Sequence, residues 1–448
     1  MCFQRRVVAV ISVFCFFVAF PACLLGSDGE ESQAQYACEN TFTFGFWGSE
    51  PRQYDLGFEA LLRDICRYHM NCLVAGPRLD LGDLDLDKLQ SDLDLCERYG
   101  VYTMPLTGND LQRLQSIVEG SKAHPMILGW YIRDEPSPEF LDEFLKCKAL
   151  VSEIAPRQPA ICLFYRPDSA MRFASYQPVM LTDSYPLAYM HNGTSLGMQF
   201  AVREGIFSLF DGFVLADGMS KFNMWGNRGI LEWMDLIRSV CGDRPHWITL
   251  QAFESGDGHE VRWRAPTITE LRLQVYLAIA GGAKGINFFR YELMADPFGN
   301  PLPNRHGEGT PMLEELSRLG EELLPIGPLL VESDPADPIT CNTTYRPTLD
   351  PGKRIEVRRL RSKTRDIDYL ALVNYDVLER SSGQINLHNG FLKGRGLYDL
   401  TSLSPVPMKE WAGAVSFDVE LMPGGGRIFC IAHESDFQDI TNTVLEGR

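Results

Sequence analysis

The chain has no glycine-rich phosphate turn of the GxGxxG or Walker type, no HExxH, no CxxC, and no clustering among its eight histidines. These absences remove the usual nucleotide loops and leave a structural zinc or a zinc protease with little support, because each needs its groups at fixed short spacings. No metal or cofactor is expected. Basic residues are scarce, 42 Lys and Arg against 59 Asp and Glu, for a formal charge of −17. That acidity argues against nucleic acid or an anionic membrane as partner and favours a neutral or cationic ligand. After the opening residues, no stretch approaches the roughly 20 apolar residues of a spanning helix.

The opening itself, "MCFQRRVVAVISVFCFFVAFPACLLG", has Arg5 and Arg6 ahead of an apolar run from Val7 to Phe20 and small residues behind it. This is the layout of an export signal over residues 1–26, and it predicts a secreted, periplasmic or cell-surface protein. Phe20 and Pro21 make a poor lipobox before Cys23, so soluble export is preferred to a lipid anchor. Loss of that segment removes two arginines and no acid, taking the charge to −19, and leaves nine of the 12 cysteines. An odd set without metal-like spacing predicts mainly buried thiols, with a disulfide or two among them. Asn192 and Asn342 head glycosylation sequons that matter only in a eukaryotic secretory route.

From Thr41 onward, short apolar runs alternate with longer amphipathic ones, the rhythm of parallel strands joined by helices. Strands are predicted at 42–48, 71–76, 101–106, 127–134, 160–165, 179–185, 246–253 and 285–291. Eight such units match a (β/α)8 barrel, placed at 40–332. A doubly wound open sheet is the rival fold, and it lacks its phosphate turn here. The stretch 210–227 holds a strand-like "GFVLAD", read as an excursion over the barrel mouth or as an extra strand that forces a recount. After a closing helix at 310–330 the period shortens to two, predicting an antiparallel β-sandwich at 338–434 followed by a loose polar tail.

In a barrel, the carboxyl ends of the strands form the mouth that holds the chemistry. "ILGWYIRDEP" (127–136) ends its strand on Asp134 and Glu135. The plain alternative is that these acids stabilise the helix opening at Ser137 and Pro138, a dipole effect of about 0.3–1 kcal/mol. Glu135 is the better proton donor, since its charged neighbour and an apolar setting beside Trp130 disfavour ionisation. Aromatic residues at the other strand ends (Phe46, Trp47, Tyr185, Phe253, Tyr291) suit the apolar faces of sugar rings. Arg78, Asp183, Gln251 and Arg290 suit hydroxyl groups.

"HPMILGWYIRDEP", "VMLTDSYPL", "RPHWITLQAFE" and "RAPTITELRLQVYLAIAGGAKGINFFRYE" together resemble the barrel of glycoside hydrolases of the clan A, β-galactosidase-like type. The resemblance spans about Phe42 to Leu330, and the β region after it is similar to a domain such enzymes carry. It implies a carbohydrate substrate, with Glu135 as acid/base, Asp134 in place of the clan's asparagine, and Tyr185 as the strand-six tyrosine. Strand seven departs from the pattern. Gln251 stands where the resemblance implies a nucleophilic glutamate, and a neutral amide cannot form the glycosyl ester. Three expectations remain open: Glu254 is the nucleophile, Glu292 or Asp183 acts as base for inversion, or the barrel binds glycans without cutting them. A structural or adhesive module, with the sandwich making the contacts, is a further alternative.

Overall fold

The computed structural model describes residues 36–48, 57–80, 82–121, 124–190, 219–255, 261–263, 265–289, 291, 298–299, 302, 309–337, 342–343, 355–411 and 413–447. The expected export segment, Cys23, Arg290, Glu292, Asn192 and "GFVLAD" lie outside them. Eight parallel strands close into a barrel: β1 (Thr43–Trp47), β2 (Cys72–Arg78), β3 (Tyr102–Leu106), β4 (Trp130–Asp134), β5 (Ala160–Phe164), β6 (Met180–Ser184), β7 (His246–Gln251) and β8 (Gly285–Phe289). Because β6 pairs directly with β7, from Met180 opposite His246 to Ser184 opposite Leu250, closure needs no strand from 210–227.

The crossovers are the amphipathic runs of the sequence: α1 (Phe58–Arg67), α2 (Leu86–Tyr99), α3 (Leu111–Ser121), α4 (Leu141–Ile154), α5 (Pro167–Phe173), α6 (Met219–Cys241), α7 (Ile268–Ala280) and α8 (Pro311–Leu323). Among the described residues, no helix is long and apolar enough to cross a membrane. Local chemistry sets several helix ends. Asp85 accepts the Lys88 amide at the start of α2, and Gly100 in the left-handed conformation stops it. Thr267 and Glu270 form a reciprocal capping box on α7.

Helix α7 differs from the others in being apolar on every face, with Leu271, Leu273, Val275, Tyr276, Leu277, Ala278 and Ile279 all buried. Such a helix must be covered on both sides. The barrel covers one side, and the C-terminal β region covers the other. That region has strands β9 (Ile355–Ser362), β10 (Asp368–Asn374), β11 (Ser381–His388), β12 (Gly396–Asp399), β13 (Ala414–Leu421) and β14 (Gly426–Ala432), in two antiparallel sheets. Leu370, Leu372, Ile385, Phe417, Val419 and Phe429 form the core between the sheets. The alternate residues Tyr369, Ala371, Val373, Ile428 and Cys430 join the barrel core instead. Buried on both faces, β10 reads in the sequence as a continuous apolar run.

Contact with α7 requires "PGGG". A Cβ on Gly426 would lie 2.5 Å from the Tyr276 ring, and one on Gly424, at φ +61°, would overlap the Thr269 carbonyl oxygen. Gly424→Ala is therefore expected to destabilise the protein by about 1–3 kcal/mol, read as a lower urea midpoint.

Two expectations are corrected. The polar tail is a 13-residue helix, α9 (Glu434–Glu446), whose Phe437, Ile440 and Val444 enter the main core while Phe437 stacks on Tyr398 at 3.9 Å. Polar residues on its other faces mask this stripe in the composition. The eight described cysteines are free thiols, seven of them buried, and no disulfide joins any of them. Their apolar surroundings push most of them well above the ordinary thiol value, so they behave as small core residues.

Candidate active site

The mouth is shaped first by a bulge in β4. Tyr131 stands opposite Ile161 and Asp134 opposite Leu163, so two β4 residues occupy a step that takes one on β5. Strict alternation from Tyr131 would send Arg133 inward and Asp134 out. The extra residue reverses this, and both Tyr131 and Asp134 face the barrel interior. Tyr131 Oη donates to Asp134 Oδ1 at 2.7 Å, and Trp47 Nε1 donates to Tyr131 Oη at 3.3 Å. Arg133 instead lies 5.2 Å over the Phe140 ring.

Glu135 follows at φ +44°, a left-handed conformation that costs a glutamate about 1–2 kcal/mol. Its amide is held by the Leu163 carbonyl at 3.1 Å, and Pro136 fixes the exit. The carboxyl that this strain aims lies within hydrogen-bonding reach of Asp183 at the end of β6. Asp134 and Glu135 keep solvent-accessible surface, yet the protein packed around them is the largest influence raising both carboxyls. Burial and the neighbouring Asp134 charge push Glu135 to about 7. Asp183, only 6% exposed, is held well above the usual carboxylate range by burial and by the charges of Glu135 and Asp134. Two carboxyls this close share a proton more readily than they both ionise.

Around these acids, Trp47 packs 5.0 Å from Phe289, and Tyr185 lies 5.0 Å from Phe253 and 5.8 Å from Phe289. Arg78 makes a paired contact with Asp80 at 2.9 and 3.2 Å while its charge favours ionised Asp134. The structure thus brings together Trp47, Arg78, Asp134, Glu135, Asp183 and Tyr185 at one end of the barrel.

Other candidates lie elsewhere or are otherwise engaged. Trp130 is fully buried among the residues packed between barrel and helices. Tyr291, 1% exposed, packs against Phe46 in a tilted ring pair at 4.7 Å and donates to Asp64 of α1 at 3.1 Å, which places its hydroxyl in the helix layer. Gln251 is fully buried: its Oε1 accepts the Leu187 amide at 2.9 Å and its Nε2 donates to the Phe253 carbonyl at 3.3 Å. Gln274 holds the Gln251 backbone in turn, at 3.1 and 3.2 Å. This amide ties β7 to the loop after β6. Glu254 is exposed and starts a two-residue strand paired with Phe298–Gly299. Ser137 and Pro138 do open the helical segment, but the Ser137 side chain makes no cap bond, and Asp134 is bound to Tyr131 away from that helix end.

The sequence reading passed over Tyr131 and Phe289. Phe289 was detectable, because period two along β8 puts it on the same face as Asn287. The position of Tyr131 beside Asp134 depends on the bulge, which carries no sequence signal. Among the described residues no group of three or more His, Cys, Asp or Glu side chains is arranged to hold a metal ion. A pocket at the opposite end of the barrel, lined by Met180, His246, Lys284 and Asp334 among others, is remote from these acids.

No family model matches the chain, and no curated protein matches it. Solved structures do share its fold. A β-galactosidase from Bacillus circulans sp. alkalophilus has a TM-score of 0.57 at 10% identity, over 88% of this chain and 99% of that one. A glycoside hydrolase of family 5 from Bacteroides vulgatus gives 0.54 at 11% identity, over 88% and 90%. An α-amylase from Geobacillus thermoleovorans gives 0.52 at 11%, over 89% and 100%. At such identities the likeness is one of fold: a (β/α)8 barrel with a following all-β region, in the form that glycoside hydrolases have.

Proposed function

We propose that this protein hydrolyses O-glycosidic bonds of an oligo- or polysaccharide outside the cytoplasm, with Glu135 as the general acid. The observation that carries the reading is the state of Glu135: aimed into the barrel mouth by a strained backbone, beside Asp183, with its proton affinity raised to about 7. A carboxyl protonated near neutrality at the end of the fourth strand can protonate a departing glycosidic oxygen. Asp134, fixed by Tyr131, suits a sugar hydroxyl, and the Trp47, Tyr185 and Phe289 rings suit the apolar face of a sugar ring.

Asp183 serves Glu135 rather than water. Paired catalytic carboxyls stand about 5–5.5 Å apart for retention and about 6.5–9.5 Å apart for inversion, and two groups in hydrogen-bonding reach leave no room for the water an inverting base activates. Gln251, with its amide engaged by backbone, is no nucleophile. The second carboxylate is sought in Glu254 or Glu292, by testing which glutamine substitution abolishes turnover.

Gln251 also favours a second reading, a carbohydrate-binding barrel that does not cut. The two separate in one experiment: polysaccharides and oligosaccharides are incubated with the protein, products are followed by chromatography, and binding is read on a glycan array. Product release by the wild type and none by Glu135→Gln supports hydrolysis. Array binding without product supports the binder.

A further inference from the structure

Three inward layers run across β6, β7, β8 and β1. Register aligns Leu181, Trp247, Gly285 and Thr43 in the lowest, Asp183, Thr249, Asn287 and Gly45 in the middle, and Gln251, Phe289 and Trp47 at the top. Their inward direction follows from contacts. A Cβ on Gly285 would strike Thr43 Oγ1 and the Trp247 ring, and Trp247 and Leu181 pack with Val74, Met104 and Ile161 inside the barrel.

The middle layer is polar and sealed. Thr249 and Asn287 are fully buried, and Asp183 nearly so. Thr249 Oγ1 and both Oδ1 and Nδ2 of Asn287 have no hydrogen-bond partner among the described residues, nor do Thr43 Oγ1 and Trp247 Nε1 just beneath; Asp183 Oδ1 is unpaired on this side as well, its carboxyl meeting Glu135 and Tyr185 towards the mouth. Six such atoms on contiguous strands are far outside the pattern of protein interiors, where buried polar groups are paired with protein or with ordered water. The opposite wall, built from Cys72, Val74, Met104 and Ile161, is apolar apart from the weakly bonding Cys72 thiol, and the Tyr131 hydroxyl above it is taken by Asp134. Water is suited to pair them, because it makes two to four hydrogen bonds and would meet both donors and acceptors on adjacent strands.

We propose that ordered water occupies this layer, bound by Asn287 and Thr249 and extending to Asp183 Oδ1, so that Asn287 and Thr249 act through it as positioning residues for the Asp183–Glu135 pair. Water donating to Asp183 favours the ionised form of Asp183 and leaves the shared proton on Glu135, where a general acid keeps it. The other groups facing the pair are Asp134 from β4 and Tyr185 from the end of β6, with Tyr131 and Arg78 acting on Asp134. The catalytic consequence rests on the reading of Glu135 given above; the hydration of the layer does not.

The test uses the full chain with Thr249→Val and Asn287→Leu, both close to isosteric, and follows the carboxyl titration by carbon-13 NMR of labelled Asp and Glu. Each variant is expected to raise the apparent midpoint of the pair by about one pH unit, the size of one lost hydrogen bond to a charged group, and to lower the melting temperature. An unmoved midpoint in Thr249→Val overturns the proposal, as does a higher melting temperature in Asn287→Leu, the result for a dry interior relieved of an unpaired amide. If Asn287→Leu does not fold, Thr249→Val decides. Because the readout is titration, a wild type without hydrolytic activity but with shifted midpoints refutes the catalytic reading and leaves this one standing.

Discussion

Glu135→Gln is expected to lower hydrolysis by about 10²–10⁴-fold, the usual contribution of a positioned general acid, and to make the protein more stable at pH 8. The two effects have one origin. Glu135 titrates near 7 in the folded protein, against 4.5 for the free group. Between those values the folded state holds a proton that the unfolded state has released, so stability falls as pH rises through this window, and the full penalty is present above about 7. Since the carboxyl keeps solvent access, screening reduces the penalty to about 1–2 kcal/mol. A glutamine does not ionise and escapes it. Melting curves of wild type and Glu135→Gln should separate at pH 8 and converge at pH 4. Equal melting temperatures at both pH values would show that Glu135 is an ordinary solvated carboxyl, and the catalytic assignment would go with it. In the wild type, hydrolysis should decline as pH rises through about 7, because the acid must be protonated to act.

The second large effect lies at the other end of the barrel and has the opposite sign. His246 is buried, and burial together with the Arg238 charge pushes it down to about 3 from 6.5. Its Nε2 is 2.6 Å from Thr182 Oγ1, which also accepts from Trp233 Nε1 at 3.1 Å. The indole can only donate, which leaves the hydroxyl a further hydrogen bond to share with Nε2 of the neutral ring. The unfolded chain takes up a proton below 6.5 that the folded chain refuses until about 3. Stability is therefore fully present above 6.5 and is lost as pH falls towards 3, by about 4 kcal/mol. His246→Gln keeps an acceptor for Thr182 without the titration. Urea midpoints measured from pH 7 to pH 4 should fall less steeply in this variant than in the wild type; parallel curves would exclude His246 as the source of acid lability.

Together these groups place a carboxyl on a strained backbone at one end of the barrel and a neutral histidine within the packing at the other. Strands β6 and β7 connect them. Thr182 and His246 anchor the lower part of that pair, and Asp183, one residue after Thr182, points the opposite way, into the interior beneath the mouth. The backbone strain at Glu135 is offset by packing elsewhere in the barrel.

The sequence by itself determined the order and kind of the main elements, and it placed an acidic pair at the end of the fourth strand. These are local properties, written in the change of hydrophobic period from helix to strand and in the residues that stop each run. It also determined that strand seven offers an amide where a nucleophile was expected. Only the tertiary structure decided which way the side chains face. One bulged residue in β4 turns Asp134 inward, while Tyr291 is drawn outward to Asp64 and Phe46. Closure of the barrel brings Asp183 to Glu135, 48 positions apart in the chain, and no periodicity within either strand encodes that approach. The α9 helix escaped notice because three buried residues among ten others form a stripe only once a core exists to receive them.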